Sequence, residues 1–144
     1  MRINENHINY LVQLHSGQWF GFDGEQIYEN LWVKGYEKPT IQEIEQGVKN
    51  LSIESKRNSL KLSRRKFKIG ISLYEIEGET LKNKIESTLE ALSEPHKTIA
   101  NVSYEDGTEF HRTDEMVVLL ANAIGLTEEQ VDDFFEWAMN EEWR

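Results

Sequence analysis

Apolar residues recur every three or four positions over the last third of the chain, most clearly between Tyr104 and Trp143. Met116, Val117, Leu120, Ala121 and Ile124 share one helical face behind Thr113 or Asp114 as N-cap, and Gly125 stands where a left-handed C-terminal residue belongs. Thr127-Glu128-Glu129-Gln130 then spells a capping box. Beyond it Val131, Phe134, Phe135 and Ala138 form an apolar stripe opposite Asp132, Asp133 and Glu136. Two such helices joined through Gly125-Leu126 predict an αα-hairpin whose stripes need a covering surface.

The first part of the chain has a different period. Ile8, Tyr10 and Val12 alternate with polar neighbours, His15-Ser16-Gly17-Gln18 supplies turn residues, and Trp19, Phe20 and Phe22 resume an aromatic strand, so residues 8–22 predict a β-hairpin. Ile27 to Val33 reads as a third strand after the Asp23-Gly24 turn, giving a small meander that must pack one face on something else. Past Gly35 and Pro39, Thr40-Ile41-Gln42-Glu43 opens a helix with Ile41, Ile44, Val48 and Leu51 on one face.

From Ser52 to Ser63 lysine, arginine, asparagine and serine displace the apolar residues, and the stretch reads as a linker. Over 63–76, strict alternation of Phe67, Ile69, Ile71 and Leu73 favours a strand, while Ser63 as N-cap and the shared face of Phe67, Ile71 and Tyr74 favour a helix. Leu81, Ile85, Leu89 and Leu92 define an amphipathic helix closed by Glu94-Pro95. Residues 97–112 read as a helix with Ile99, Val102 or Ser103, and Phe110 at helical steps, bent or broken at Gly107. The expected fold is α+β: an N-terminal antiparallel β-meander with one helix over 1–52, a basic polar linker over 53–62, and a helical domain over 63–144 ending in the αα-hairpin.

Charge changes this picture. Residues 105–144 carry 12 acidic side chains against Arg112 and Arg144, so this segment holds the whole net charge of −10, and the remainder is neutral. Within the neutral part, Lys56, Arg57, Lys61, Arg64, Arg65, Lys66 and Lys68 crowd together, which makes the chain a charge dipole along its sequence. The basic run is expected to meet the acidic helices of its own fold, and an acidic chain of this kind gives no reason to expect direct nucleic-acid binding. Cysteine is absent, which excludes disulfides, thiol catalysis and Cys-ligated zinc. No apolar run reaches the roughly 18 residues of a spanning helix, and Met1-Arg2-Ile3-Asn4-Glu5 lacks the apolar centre of a signal peptide, so the expected place is the cytoplasm, with no membrane partner.

Candidate chemistry is sparse. His7, His15, His96 and His111 lie in four separate segments without a metal-ligand spacing. The neighbouring carboxylates Glu128-Glu129 and Asp132-Asp133 point about 100° apart on a helix and do not converge on one substrate. Neither a phosphate loop nor a nucleophile elbow is present, and the expectation is a non-enzymatic protein without a cofactor. Binding rests on two groups: Trp19, Phe20 and Trp32 as an aromatic patch for a partner protein, and Arg64 and Arg65 at the head of the basic cluster.

One order of motifs stands out. Arg64-Arg65-x-Phe67 is followed by a helix ending near Glu94-Pro95, then Tyr104-Glu105, Phe110-x-Arg112, Leu120-Ala121-x-Ala123-x-Gly125-Leu126-Thr127 and Gln130-x-Asp132-x-Phe134-Phe135. This resembles the C-terminal region of small tail-associated proteins encoded beside tail-fibre genes in tailed phages and prophages. Gln18-Trp19-Phe20, Tyr28-x-Asn30-Leu31 and Lys38-Pro39-Thr40 are similar to their N-terminal part. The match covers about residues 63–140 and, more loosely, the first 50. Lys66 stands where the family has glutamine, Tyr104 where it has tryptophan, and Gly107 where it has alanine.

The resemblance implies a helix at 63–76 and a tail or tail-fibre accessory or assembly role through protein contacts. Its implied address is the host cytoplasm during expression and then the virion tail, and homo-oligomerisation stays open. The rival expectation is an acidic anti-defence inhibitor, an anti-CRISPR or anti-nuclease protein. It would present Glu128, Glu129, Asp132, Asp133 and Glu136 to a basic groove on a host defence protein.

Overall fold

The computed structural model describes residues 1–143 and shows a mixed α+β protein. It divides into two compact units, Met1–Ser55 and Lys56–Arg144.

The first unit opens with a helix where alternation predicts a strand. Helix α1 (Glu5–Leu14) starts from a capping box in which the Asn4 side chain accepts from the His7 amide at 3.1 Å and His7 Nδ1 accepts from the Asn4 amide at 3.0 Å. Histidine in place of the usual glutamate or glutamine hides this start signal from a sequence reading. The alternating positions are not a sheet face: Leu11 is fully buried, whereas Val12 and Leu14 are exposed. The strands that do form are short. β1 (Phe20–Phe22) pairs antiparallel with β2 (Leu31–Val33), in register Phe20 to Val33, Gly21 to Trp32 and Phe22 to Leu31. Tyr28–Asn30, expected as strand, is one turn of 3₁₀ helix leading into β2. A two-stranded ribbon is therefore present, not a three-stranded meander.

Helix α2 (Ile41–Ser59) begins at the expected box, with the Glu43 amide donating to Thr40 Oγ1 at 3.1 Å and the Thr40 amide to a Glu43 carboxylate oxygen at 3.0 Å. Leu11, Trp19, Leu31 and Ile44 make the core of this unit. Gly47 lets α2 approach α1: a Cβ there would overlap the Tyr10 ring.

The stretch expected to be a linker is ordered structure. Residues 53–59 continue α2, and Lys61–Ser63 form β3. The stretch loses apolar residues because one side of the helix faces water and the other carries charges that find partners further along the chain, as described below.

In the second unit, α3 (Arg64–Leu73) makes most of the ambiguous 63–76 stretch helix, with only Glu75–Ile76 at its end in a strand. Ser63 caps it, its hydroxyl accepting from the Lys66 amide at 3.2 Å. Phe67, Gly70 and Ile71 face inward, and Leu73, which strict alternation would bury, is exposed. Gly70 admits the ring of Phe134 into van der Waals contact. A tight β4–β5 hairpin (Glu75–Ile76 with Glu79–Thr80) leads to α4 (Leu81–Ala91), which buries Leu81, Ile85 and Leu89 as its spacing requires.

Helix α5 (His96–Asp106) is shorter than the 97–112 segment expected. It stops before Gly107, and Glu109–His111 become β6, antiparallel to β3 with Leu62 opposite Phe110. Its buried residues are Ala100 and Tyr104, not Ile99 and Val102. The hairpin follows as expected, with α6 (Glu115–Ile124), Gly125 at φ +90° and α7 (Glu128–Asn140). Thr127 and Gln130 close a third capping box at 3.1 and 2.9 Å. Phe67, Phe110, Phe134 and Phe135 sit at the centre of the core, Phe67 and Phe110 stacked with centroids 4.2 Å apart.

Gly47→Ala is expected to lower the stability of the first unit by about 1–3 kcal/mol through overpacking. Tyr10→Leu, by removing the ring, is expected to suppress most of that effect. A double-mutant cycle by urea denaturation measures the coupling; additive single effects would show that the close approach is unimportant.

Candidate functional site

The charged side chains that the sequence separates by about 75 positions converge in the second unit. Asp132, on the inner edge of α7, receives three bonds. Arg112 Nε donates to Oδ1 at 2.7 Å, and Arg57 Nε donates to Oδ1 at 3.1 Å and to Oδ2 at 3.0 Å, with Arg57 Nη2 3.0 Å from Oδ2 as an ion pair. Arg57 Nη1 also lies 3.4 Å from Glu128, and Lys56 Nζ lies 2.6 Å from Glu136. Arg112 is only 6% exposed, and its backbone amide donates to the Leu60 carbonyl at 2.9 Å, which holds it at the end of β6. Burial pushes the Asp132 carboxyl up, but hydrogen bonds from Arg57 and Arg112 and the charges behind them hold it below the usual carboxylate range.

The rest of the basic run is also engaged. Lys66 Nζ donates to the Met139 carbonyl at 3.0 Å, and Arg65 Nη1 donates to the Trp143 carbonyl at 2.7 Å. Lys68 Nζ sits 3.2 Å from the centre of the Tyr104 ring, tying α3 to α5. Burial lowers the Lys68 amine, and burial with the nearby Glu86 and Glu105 pushes the Tyr104 hydroxyl up to about 12. Arg64 is exposed at the head of α3, its backbone amide donating to the Thr108 carbonyl at 2.9 Å.

The aromatic candidates separate in the first unit. Trp19 is a core residue, 3% exposed, with Nε1 donating to the Leu11 carbonyl at 3.0 Å, so its indole offers no contact surface. Phe20 is half-buried with its ring centroid 5.1 Å from that of Trp19. Trp32 alone of the three is well exposed, at 41%. It sits on the outer face of the ribbon with its ring laid over Gly21, a position where any Cβ would overlap the indole. Alternation along β2 puts Trp32 opposite the core side, a signal present in the sequence once the strand is known to be Leu31–Val33.

Of the acidic candidates, Asp132, Glu136 and Glu128 are paired within the unit, while Glu129 and Asp133 face solvent. Three of the four histidines have partners: His7 caps α1, His15 stacks on Tyr36 with centroids 3.6 Å apart, and His111 Nε2 lies 2.8 Å from Glu109; His96 lines a groove between α5 and α6.

A second surface escaped the sequence reading. A groove of about 660 Å³ runs between α5 and the start of α6, with Ile99, Met116 and Leu119 on its walls and Glu109, Asp114 and Glu115 at its rim. Ile99 is 61% exposed and Val102, one turn on, 54%. Two overlapping stripes on α5, Ile99/Val102/Ser103 and Ala100/Tyr104, compete for the inner side, and only packing shows which wins.

The class that these features define is a mixed α+β protein with an internally neutralised charge cluster and a separate acidic-rimmed groove. Compared with family models, curated proteins and solved structures, the chain matches none of them. Among the described residues no helix is long and apolar enough to cross a membrane.

Asp132→Asn is expected to cost about 3–5 kcal/mol, because it leaves the buried Arg112 without a counter-charge, while Glu128→Gln at the exposed edge costs under about 1 kcal/mol. The folded-state carboxyl titrates below its unfolded value of about 3.9, so its stabilising contribution is complete above that pH and disappears as pH falls through the lower, folded value. Urea midpoints between pH 7 and pH 3 are expected to fall in the acid range for the parent chain and to fall less for Asp132→Asn. Equal acid limbs would remove the cluster from this role.

Proposed function

We propose that the chain is a non-enzymatic phage tail or tail-fibre accessory protein that works by contact with another protein of the particle or of its assembly. The observation that carries the reading is where the shared motifs lie. Arg64-Arg65-x-Phe67, Phe110-x-Arg112, Gly125-Leu126-Thr127 and Asp132-x-Phe134-Phe135 supply the cap, the stacked ring pair, the buried arginine, the helix stop and the core of the second unit. A resemblance that falls on cap and core positions supports a common scaffold, and scaffolds of this kind act through their surfaces. The surfaces available for contact are Trp32 on the first unit and the α5–α6 groove on the second.

The anti-defence reading is the weaker one. A mimic of a nucleic-acid backbone needs free carboxylates in a row, and on α7 Glu128, Asp132 and Glu136 are bonded to Lys56, Arg57 and Arg112. Opening those pairs to bind a host protein would uncover the buried Arg112 charge.

Mass spectrometry of purified particles, and of fibre-assembly intermediates from cells producing them, is expected to find the chain in one or both. Its absence from both overturns the tail reading. Binding to a basic host nuclease that is lost on reversing Asp133 and Glu129 would restore the rival.

A further inference from the structure

We propose that the groove between α5 and the first turns of α6 seats a segment of a partner polypeptide that is apolar along one side and carries lysine or arginine beside it. This deepens the partner-binding reading above and rests on it.

The apolar part of the surface is Ile99, Met116 and Leu119, with Ile99 exposed where the helix could have buried it. Val102 lies three residues on and extends the same face of α5 along the outside. The charge follows from what the second unit does with its carboxylates. On α7, Glu128, Asp132 and Glu136 are matched to Lys56, Arg57 and Arg112, while Glu129 and Asp133 face solvent outside the lining of the groove. Glu109, Asp114 and Glu115 at the groove rim are not matched: among the described residues no lysine or arginine pairs with them. Asp114 accepts the His111 amide at 2.8 Å, and Glu109 lies 2.8 Å from His111 Nε2, so both carboxylates are held in place at the rim.

Apolar walls inside a rim of carboxylates that no described lysine or arginine neutralises fit a basic amphipathic segment and repel an acidic one. A second copy of the chain, with the same acidic rim, would oppose like charge if it docked groove to groove. The groove is thus separate from the α7 acids that charge counting singles out, and its specificity comes from two chemistries acting together.

The test titrates two synthetic 15-residue peptides of one leucine–alanine helical pattern, flanked by lysines or by glutamates, into the full chain. Affinity is read by calorimetry and location by amide NMR shifts. The lysine peptide is expected to shift amides of α5 and the start of α6 and to bind at least about tenfold tighter than the glutamate peptide at low salt. Ile99→Ser, at an exposed position that leaves the melting temperature unchanged, is expected to weaken binding by roughly tenfold. Glu109→Lys with Glu115→Lys is expected to reverse the preference.

Equal affinity for the two peptides, shifts confined to other elements, or indifference to Ile99→Ser would each overturn the assignment. Self-association that protects Ile99 would give the groove to a second copy and overturn it as well. A chain present in particles whose groove fails these tests loses the groove assignment alone. A binding groove in a chain absent from particles and fibre intermediates leaves the groove and removes the tail reading.

Discussion

Asp132 takes hydrogen bonds from two guanidinium groups that arrive from well-separated stretches of the second unit's sequence. Arg57 comes from the last turns of α2 and Arg112 from just beyond β6. Arg112 is almost fully removed from water, a position that a lone charge could not hold without several kcal/mol of penalty. The carboxylate makes that position tolerable, and the directional bonds fix where α7 lies against the β3–β6 ribbon. Apolar contact alone would let α7 slide along its stripe; a carboxylate bonded by two guanidinium groups from different elements accepts few geometries.

The magnitude of stabilisation lies elsewhere, in the aromatic seam. Phe67 stacks on Phe110, Phe134 packs edge-on to Phe67 and to Phe135, and Gly70 removes the side chain that would keep the Phe134 ring away from α3. The ribbon brings Phe110 into this seam by pairing it with Leu62. Pairing also explains why α5 ends early: a helix continuing to residue 112 would carry Phe110 and Arg112 away from both the seam and Asp132. At Gly107 a Cβ would press on the Ser103 carbonyl and the Phe110 ring, so the turn into β6 needs a residue without one.

The same partition of charge governs what the surface can do. Carboxylates on α7 that face the basic end of α2 are consumed in holding the fold, and much of the basic run bonds to α7 or to the segment just after it. Among the carboxylates that no described lysine or arginine neutralises are those around the α5–α6 groove, where exposed isoleucine and valine lie close by. The net charge of −10 is therefore a poor guide to where a partner sits; the local balance of paired and unpaired groups is the better one.

Residues whose signals are local were legible in the sequence. The Thr40 and Thr127 boxes, the Gly125 stop, and the stripes of α4, α6 and α7 depend on neighbours within one or two turns, and they stand in the structure as their spacing requires. Short alternating stretches were not legible, because Ile8 to Val12 and Phe67 to Leu73 satisfy both periods over five to seven residues. There a histidine cap in α1 and the burial of Ile71 over Leu73 in α3 decided the matter. The basic stretch looked like a linker because its partners lie some 75 residues away, at Asp132 and Glu136. Sequence by itself determined helices α2, α4, α6 and α7, the capping boxes of α2 and α7 and the separation of charge along the chain. Tertiary packing alone decided which charges meet, that Trp19 is inside and Trp32 outside, and which face of α5 is left open, because each of these depends on contacts between segments that no local period records.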